Sequence, residues 1–283
     1  MMKGTNYVES VIRENVDGET WNWLREKGEL VYSEKNASTL VETFNLIPRK
    51  TGNKKIALSD PEAGSSDREL YIRGWSIDRL CRVWLIMQVD ASDKTAYLAK
   101  TGSLFSGASM NELVSLYSAL PVLAYAPEWK LRCAEGIRSN IGTVLEAIMY
   151  ENSYPLNYLD EPAFNQMVLK AFFTEKNVDR ITGIDQRANK ELALILFDYA
   201  HERWAAGRSV DPQLWRFAGR YLDDENFPDI RKLWDGGNET EKKAALLVCS
   251  QSEYPSARRL WENGGSLKKE IEEKKLTWHN LNG

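Results

Sequence analysis

Apolar residues recur at intervals of three and four along nearly every segment of this 283-residue chain. That spacing places them on one side of an α-helix, whereas a half-buried strand needs a strict alternation that no segment shows convincingly. We therefore predict an all-α fold, with glycine, proline and asparagine in most of the gaps between helices. The predicted helices are residues 5–16, 18–27, 37–47, 67–89, 93–101, 109–120, 128–151, 160–175, 189–206, 211–222, 227–236, 239–250, 255–263 and 266–274.

An internal repeat indicates how the last of these helices are arranged. The segment FPDIRKLWDGG at residues 227–237 returns as YPSARRLWENGG at residues 254–265, offset by 27 positions. Proline suits the first turn of a helix and glycine its exit, and the residues between the copies predict a second helix. We expect helical-hairpin repeats in residues 211–274 and stacked hairpins, a HEAT-like α-superhelix, overall. An irregular globular helical bundle is the alternative.

The length of the chain allows a large core, and we predict a single elongated all-α domain over residues 1–283. The long polar stretch PRKTGNKKIALSDPEAGSSD, residues 48–67, is too long for a tight connection between helices. We predict that it is a long polar loop, either ordered around a function or a mobile surface segment.

Charge, cysteine spacing and hydropathy limit the partners and the compartment that we expect. Lys and Arg number 37 against 41 Asp and Glu, so the net charge of −4 gives no basic field for nucleic acid. The three cysteines, Cys81, Cys133 and Cys249, are widely spaced, as is typical of reduced, buried thiols in a cytosolic protein. No apolar run approaches the roughly 18 residues of a membrane span. We expect a cytoplasmic protein without a direct membrane span.

Three helices in the middle of the chain are unusually apolar, yet they carry polar residues within or beside their apolar faces. These predicted helices are residues 128–151, 160–175 and 189–206. A buried charge or amide is costly unless it has a partner, a ligand or water. The candidates for ligand binding are Arg138, Asn165, Gln166, Lys170, Asp198, His201 and Arg203.

These candidates have two interpretations. In the functional one, the three cations bind an anion, the two amides orient it, and Asp198 tunes His201 as an acid or base across one helical turn. In the structural one, the same groups form salt bridges and amide hydrogen bonds that hold three helices in register. We favour the structural interpretation, because structural ion-pair networks gather charges in the same way.

Known catalytic and cofactor motifs are absent from the sequence. It contains no G-x-S-x-G elbow, no Walker loop, no G-x-G-x-x-G after a strand and no H-E-x-x-H. With only two histidines, His201 and His279, a transition-metal shell would be sparse. We predict no metal and no cofactor, and the motifs leave open whether the protein is an enzyme.

Several long segments resemble the EboA family of bacterial proteins, and they occur in that family's order. They are GWSIDRLCRVWLI from Gly74, CAEGIRSNIGTVLEAI from Cys133, NSYPLNYLDEPAFNQMVLKAFF from Asn152 and GIDQRANKELALILFDYAHERWAAGR from Gly183. The family pattern has a turn with Gly and Pro after the NQMVLKA helix. The segment FTEKNVDRITG, residues 173–183, departs from that pattern, so the resemblance does not imply the shape of this loop.

Membership implies a product of the ebo gene cluster, which is associated with making or exporting a specialised metabolite. Its companions resemble a UbiA-type prenyltransferase, a dehydroquinate-synthase-like cyclase, a sugar-isomerase-like barrel and metal-dependent hydrolases. The resemblance supplies no reaction and no catalytic residues.

Two functions are consistent with these observations. The first is a non-catalytic helical adaptor or small-molecule carrier, whose partners are other ebo-cluster proteins or a small-molecule intermediate. The alternative is an enzyme of unrecognised mechanism that acts on a phosphorylated or cyclitol- or isoprenoid-like intermediate.

Overall fold

The computed structural model describes residues 5–58 and 70–281 of the chain. Within these residues the secondary structure consists of α-helices and short 3-10 helices. The described residues form no strand, and their β-type pairing is limited to two isolated β-bridges. The all-α prediction is confirmed. The chain divides into two compact units, residues 1–160 with 180–182 and residues 161–179 with 183–283. The HEAT-like superhelix and the single elongated domain stay predictions.

The first unit is built around one buried helix. Its α-helices are α1 (Thr5–Asn15), α2 (Gly18–Ser33), α3 (Ser38–Thr51), α4 (Ile77–Met87), α5 (Lys94–Ser103), α6 (Met110–Ser118), α7 (Lys130–Arg138), α8 (Gly142–Met149) and α9 (Tyr154–Tyr158). Two 3-10 helices, Leu120–Val122 and Ala126–Trp129, lie between α6 and α7. Helix α4 packs against α1, α2, α3 and α6. Every residue of α4 except Arg79 is buried.

Local contacts explain where α2 begins and ends and how closely it packs against α4. Asp17 caps α2 by accepting a hydrogen bond from the backbone N–H of Thr20 at 2.7 Å. At the other end of α2, the buried ammonium of Lys100 donates to backbone carbonyls that include Val31 at 2.6 Å. A side chain at Gly28 would place its Cβ 2.7 Å from the Trp84 ring. Glycine therefore allows α2 and α4 to pack tightly.

The second unit contains the internal repeat. Its α-helices are α10 (Glu161–Phe173), α11 (Lys190–Ala205), α12 (Phe227–Gly236), α13 (Glu239–Ser250), α14 (Pro255–Glu262) and α15 (Gly265–Glu272). Its 3-10 helices are Pro212–Phe217, Gly219–Tyr221 and Trp278–Asn280, and another, Val178–Arg180, includes the residues where the chain changes unit. Helix α13 packs against α12, α14, α15 and the first two of these 3-10 helices, and it buries residues 244–249.

Both copies of the repeat form helices that begin with proline in the first turn, as predicted. The matching tryptophans differ, because Trp261 is buried whereas Trp234 is half-buried. The helices of the repeat are therefore confirmed, while an equal contribution of the two tryptophans to the core is not expected.

The predicted helix 128–151 is wrong, because the chain forms α7 and α8 with an extended break at Ser139. The Ser139 hydroxyl accepts a hydrogen bond from the backbone N–H of Ile141 at 3.1 Å, a local bond that competes with helix continuation. The predicted helix 211–222 is a pair of 3-10 helices, Pro212–Phe217 and Gly219–Tyr221.

The predicted polar loop 48–67 starts too early. Helix α3 includes Pro48 and ends at Thr51, and Gly52 follows with φ of 70°, a left-handed conformation that favours glycine. The backbone N–H of Ile56 then bonds the carbonyl of Trp75 at 3.0 Å, so this part of the stretch is ordered. Residues 59–67 of the predicted loop lie outside the described residues.

The three cysteines are free and buried, as expected. Burial raises the pKa of Cys133 and of Cys249 to about 12 and that of Cys81 further still, so the thiolate is disfavoured at each position. Among the described helices, none combines the length and the apolar character that crossing a membrane requires.

Candidate functional site

The seven predicted site residues are divided between the two units. Arg138 belongs to the first unit, and the other six belong to the second. Arg138 ends α7 and is exposed, so the prediction that it lies within a buried arc is wrong. The physical reason is the break after Arg138, which ends the helical periodicity on which that prediction depended.

Asn165 is the fully buried member of the predicted set, and its amide has protein partners. It exchanges two hydrogen bonds with the side chain of Asn189, at 3.1 Å and 2.9 Å. Asn189 also caps α11 by accepting from the backbone N–H of Leu192 at 2.8 Å. Asn165 therefore orients a helix cap. On the same helix Gln166 is exposed, against expectation, and Lys170 is half-buried.

His201 contacts a carboxylate other than the predicted one. Its Nε2 lies 2.6 Å from Oδ2 of Asp229 on α12, and its side chain is 55% exposed. Asp198 is exposed as well, and the predicted contact between Asp198 and His201 is wrong. The pair with Asp229 links α11 to α12 at the surface, which is a structural role.

Arg203 lines a cleft of about 600 Å³ in the second unit. Its Nε donates to the carbonyl of Ser209 at 2.6 Å and its Nη1 to the hydroxyl of Tyr199 at 3.3 Å. The other charged residues of this cleft are the carboxylates of Glu175, Asp211, Glu239 and Glu241. An acidic lining disfavours the anion that the sequence suggested for Arg203.

Some of these carboxylates already have protein partners. Glu239 pairs with Lys243 at 2.8 Å, and this hydrogen bond lowers the pKa of Glu239. Glu241 accepts from the backbone N–H of Asn238 at 2.8 Å in the capping box of α13. Burial and the nearby Asp179 raise the pKa of Asp211, although its hydrogen bond from Gln213 opposes this. Most carboxylates of this cleft are thus engaged in ion pairs or hydrogen bonds within the protein.

A second cleft, of about 390 Å³, lies in the first unit and has a different charge. We call it the Arg79 cleft. Its described lining comes from α4, α6, α8 and the segments beside them: Lys55, Arg73, Gly74, Trp75, Arg79, Asn111, Val114, Thr143, Glu146, Ala147, Tyr150, Glu151 and Arg180. Its volume lies within the range typical of small-molecule sites.

Arg79 is held at this cleft by two neighbours. Its guanidinium carbon lies 4.0 Å from the centre of the Trp75 ring, and its Nε donates to the Ser118 hydroxyl at 2.8 Å. Burial lowers the pKa of Arg79 to about 9, although the carboxylates of Asp78 and Glu151 oppose this shift. The side chain remains a cation at neutral pH. Within the described residues, no carboxylate lies within ion-pair distance of it.

One wall of the Arg79 cleft is a backbone turn in a strained conformation. Glu151 has φ of 46°, a left-handed value that costs a non-glycine residue about 1–2 kcal/mol. Its carboxylate binds Arg180 through two hydrogen bonds of 2.6 Å and 2.7 Å, and the backbone of Arg180 accepts from the Glu151 N–H at 2.8 Å. Arg180 also stacks on Tyr150, 4.2 Å from the ring centre. These contacts hold the wall in place.

The residues of the Arg79 cleft were not predicted from the sequence. The available signal was the pair of arginines in IDRLCRVWLIM, a segment otherwise as apolar as those that supplied the seven candidates. Arg82 has Asp78 one turn away as a partner, at 2.9 Å. Arg79 has its hydrogen-bond partner 39 residues away at Ser118, a contact that periodicity does not reveal.

The described side chains contain no group of three or more His, Cys, Asp or Glu residues arranged to hold a metal ion. Beside the Arg79 cleft, in a small adjoining recess, the Ser118 hydroxyl accepts from Arg79 and donates to the carbonyl of Val114. It therefore contacts an arginine rather than the general base that activates a serine nucleophile.

Comparison with known proteins identifies one family. The sequence model of a family described as metabolite traffic protein EboA matches residues 4–219. No curated protein and no solved structure matches the chain significantly. The matched residues include the whole described lining of the Arg79 cleft.

Proposed function

The chain belongs to the EboA family of metabolite traffic proteins, and we propose that it is a non-catalytic carrier that holds a small-molecule metabolite in the Arg79 cleft. The observation that carries the proposal is the guanidinium of Arg79, which is stacked on Trp75 beside an open cleft without an ion-pair partner among the described residues. A partly buried cation of this kind is stabilised by a bound group of opposite charge.

The origin of the cleft residues also supports the proposal. Trp75 and Arg79 come from the segment GWSIDRLCRVWLI, and Thr143 and Ala147 come from CAEGIRSNIGTVLEAI. Asn152, which begins the third of the similar segments, lines an adjoining small recess with Trp75 and Arg79. Three of the four segments by which the chain resembles the family therefore converge on one place in the first unit.

The chemistry of the lining favours carriage over catalysis. The described lining has cations, carboxylates and aromatic rings but no histidine or cysteine. The nearby Ser118 hydroxyl is engaged by Arg79. A carrier needs affinity and a means of exchange, whereas an enzyme needs a positioned nucleophile, acid or base. Proteins of the ebo cluster are the partners that we propose to load and unload it.

Mass spectrometry of co-purified small molecules tests this function. The chain is co-expressed with its companion cluster proteins, purified without denaturation, and then unfolded to release any bound compound. Thr143→Trp fills the Arg79 cleft from an exposed position, the second residue of α8. Thr240→Trp is the matched control, because Thr240 is the second residue of α13 and lines the acidic cleft of the second unit.

We expect a compound that the wild type and Thr240→Trp retain and that Thr143→Trp loses. Equal retention by Thr143→Trp would exclude the Arg79 cleft as the carrier site. Conversion of the compound during incubation with the pure chain would instead support the alternative, an enzyme of unrecognised mechanism.

A further inference from the structure

We infer that the small molecule held in the Arg79 cleft carries a carboxylate or phosphate group, and that this anion binds the guanidinium of Arg79. This inference rests on the proposed carrier function, because it names the chemistry of the same site.

The hydrogen-bonding capacity of Arg79 is the first argument. A guanidinium has five N–H donors in a planar fork. In the described structure Ser118 accepts one of them, from Nε, at 2.8 Å. Trp75 covers one face of the plane and fixes its orientation, so the remaining donors lie at the edge of the fork. A carboxylate or a phosphate matches that edge with two parallel hydrogen bonds.

The two fully buried arginines of the described chain, Arg82 and Arg216, show how guanidinium groups are satisfied here. Arg82 pairs with Asp78 at 2.9 Å, and Arg216 pairs with Asp179 at 2.6 Å. Both side chains are at most 4% exposed. A carboxylate thus stands beside each buried guanidinium, and a ligand carboxylate or phosphate would complete the same arrangement at Arg79.

The charges around Arg79 also favour an anion. Glu151, the lining carboxylate that acts on Arg79 through space, is bound in a bidentate pair by Arg180 and is thereby neutralised. Lys55 is an exposed lining residue for which the described structure shows no ion pair. The described lining holds four cations, Lys55, Arg73, Arg79 and Arg180, against two carboxylates, Glu146 and Glu151, so positive charge is in excess. A concave surface concentrates the resulting potential.

Calorimetric titration of the full chain with inorganic phosphate and, separately, with succinate tests the inference. Arg79→Met removes the charge while keeping an apolar side chain over Trp75, and Arg79→Lys keeps the charge without the planar fork. Arg132→Met is the matched control, because Arg132 also stacks on an aromatic ring, Phe105, at 4.8 Å but pairs with Glu135 at 2.8 Å.

We expect the wild type to bind at least one of the two anions. Arg79→Met should weaken that binding roughly tenfold to a hundredfold, the value of a charge-assisted hydrogen bond. Arg79→Lys should lie between the two, and Arg132→Met should stay within about twofold of the wild type. The probe with the stronger binding identifies the anion as phosphate or carboxylate.

The inference is overturned if neither anion binds the wild type, or if Arg79→Met binds as tightly as the wild type. Arg79→Lys keeps the test valid if Arg79→Met fails to fold. The co-purification experiment distinguishes failure of the anion inference from failure of the proposed carrier function. A metabolite lost from Thr143→Trp but retained by Arg79→Met would leave the carrier function standing and refute the anion, whereas one retained by Thr143→Trp would refute the proposed site itself.

Discussion

The two units of the molecule each contain a buried or partly buried arginine, and the two arginines differ in their partners. In the second unit, Arg216 is 2% exposed and contacts Asp179 at 2.6 Å and Asp185 at 2.5 Å. In the first unit, Arg79 contacts a tryptophan ring and a serine hydroxyl, and it lines a cleft. Pairing, rather than burial, is what separates a structural arginine from one available to a ligand.

The electrostatics follow the same division. Burial opposes the charged form of Arg216, but the hydrogen bonds and charges of Asp185 and Asp179 outweigh it and raise its pKa. Asp179 also lies 2.9 Å from Nδ1 of His279, so this network ties the end of the described chain to the second unit. At Arg79, burial is the largest effect, and it lowers the pKa to about 9. Arg216 is thus neutralised by its two aspartates, whereas Arg79 has no ion pair with any described residue.

Removal of Arg216 should produce the largest effect. Arg216→Met leaves Asp179 without its buried partner, and we expect the free energy of unfolding to fall by about 3 kcal/mol. The expected value lies at the low end of the range for buried pairs, because Asp185 is largely exposed and water can solvate it. Urea denaturation measures the change. A loss below about 1 kcal/mol would show that the network is not structural.

Removal of Arg79 should have a smaller effect on stability in the absence of ligand. Arg79→Met loses the hydrogen bond to Ser118 and the contact of its charge with Trp75. It also removes a partly desolvated cation that has no ion pair with any described residue. We expect the free energy of unfolding to stay within about 1 kcal/mol of the wild type. The same urea experiment applies. A loss as large as that of Arg216→Met would show that Arg79 is a structural residue and that the two arginines do not differ in role.

The pH dependence of stability should reveal Arg79 directly. Its folded pKa of about 9 lies below the ordinary value of 12.5, so above pH 9 the unfolded state binds more protons than the folded state. The unfavourable effect of burying the cation is therefore present at neutral pH and is relieved as pH rises through 9.

The stability of the wild type relative to Arg79→Met should consequently increase between pH 8 and pH 10.5 in denaturation experiments. We expect about 0.5 kcal/mol per pH unit, less than the limit of about 1.4, because Arg79 is partly exposed. The difference between the two proteins cancels the titration of their shared residues. A flat or falling difference would contradict an unpaired, desolvated guanidinium.

The pair between His201 and Asp229 should have the smallest effect. Its imidazole is 55% exposed, and exposed ion pairs contribute little. We expect His201→Gln to lower the free energy of unfolding by about 0.5 kcal/mol and to leave retention of the metabolite unchanged. Loss of the metabolite from a folded His201→Gln protein would indicate that the metabolite binds in the second unit instead.

The parts of the structure that the sequence predicted correctly depend on local contacts. The capping box of α13 joins Asn238 to Glu241, three positions away, and the proline that begins α12 acts within a single turn. Such features, together with apolar periodicity, gave the helical class and the position of the repeat. The prediction failed at Ser139, where a local hydrogen bond ends a helix whose apolar periodicity continues.

The site was less accessible to prediction, because its contacts join distant parts of the chain. Asp229 lies 28 residues from His201, so helical spacing suggested Asp198 instead. Periodicity also gave Arg138 the same status as a buried arginine, although α7 ends there and exposes it. Whether a charged side chain has an ion-pair partner distant in sequence can be seen only in the folded structure.

A crystal structure of the chain, purified after co-expression with the cluster proteins that we propose as its partners, would show whether an anion binds Arg79. The observation to make is the electron density beside the Nη atoms of Arg79. We expect density for an organic anion within hydrogen-bond distance of the guanidinium edge, with Trp75 still covering one face of the plane. Density that instead shows Arg79 paired with a carboxylate of its own chain, such as Glu151, would contradict it.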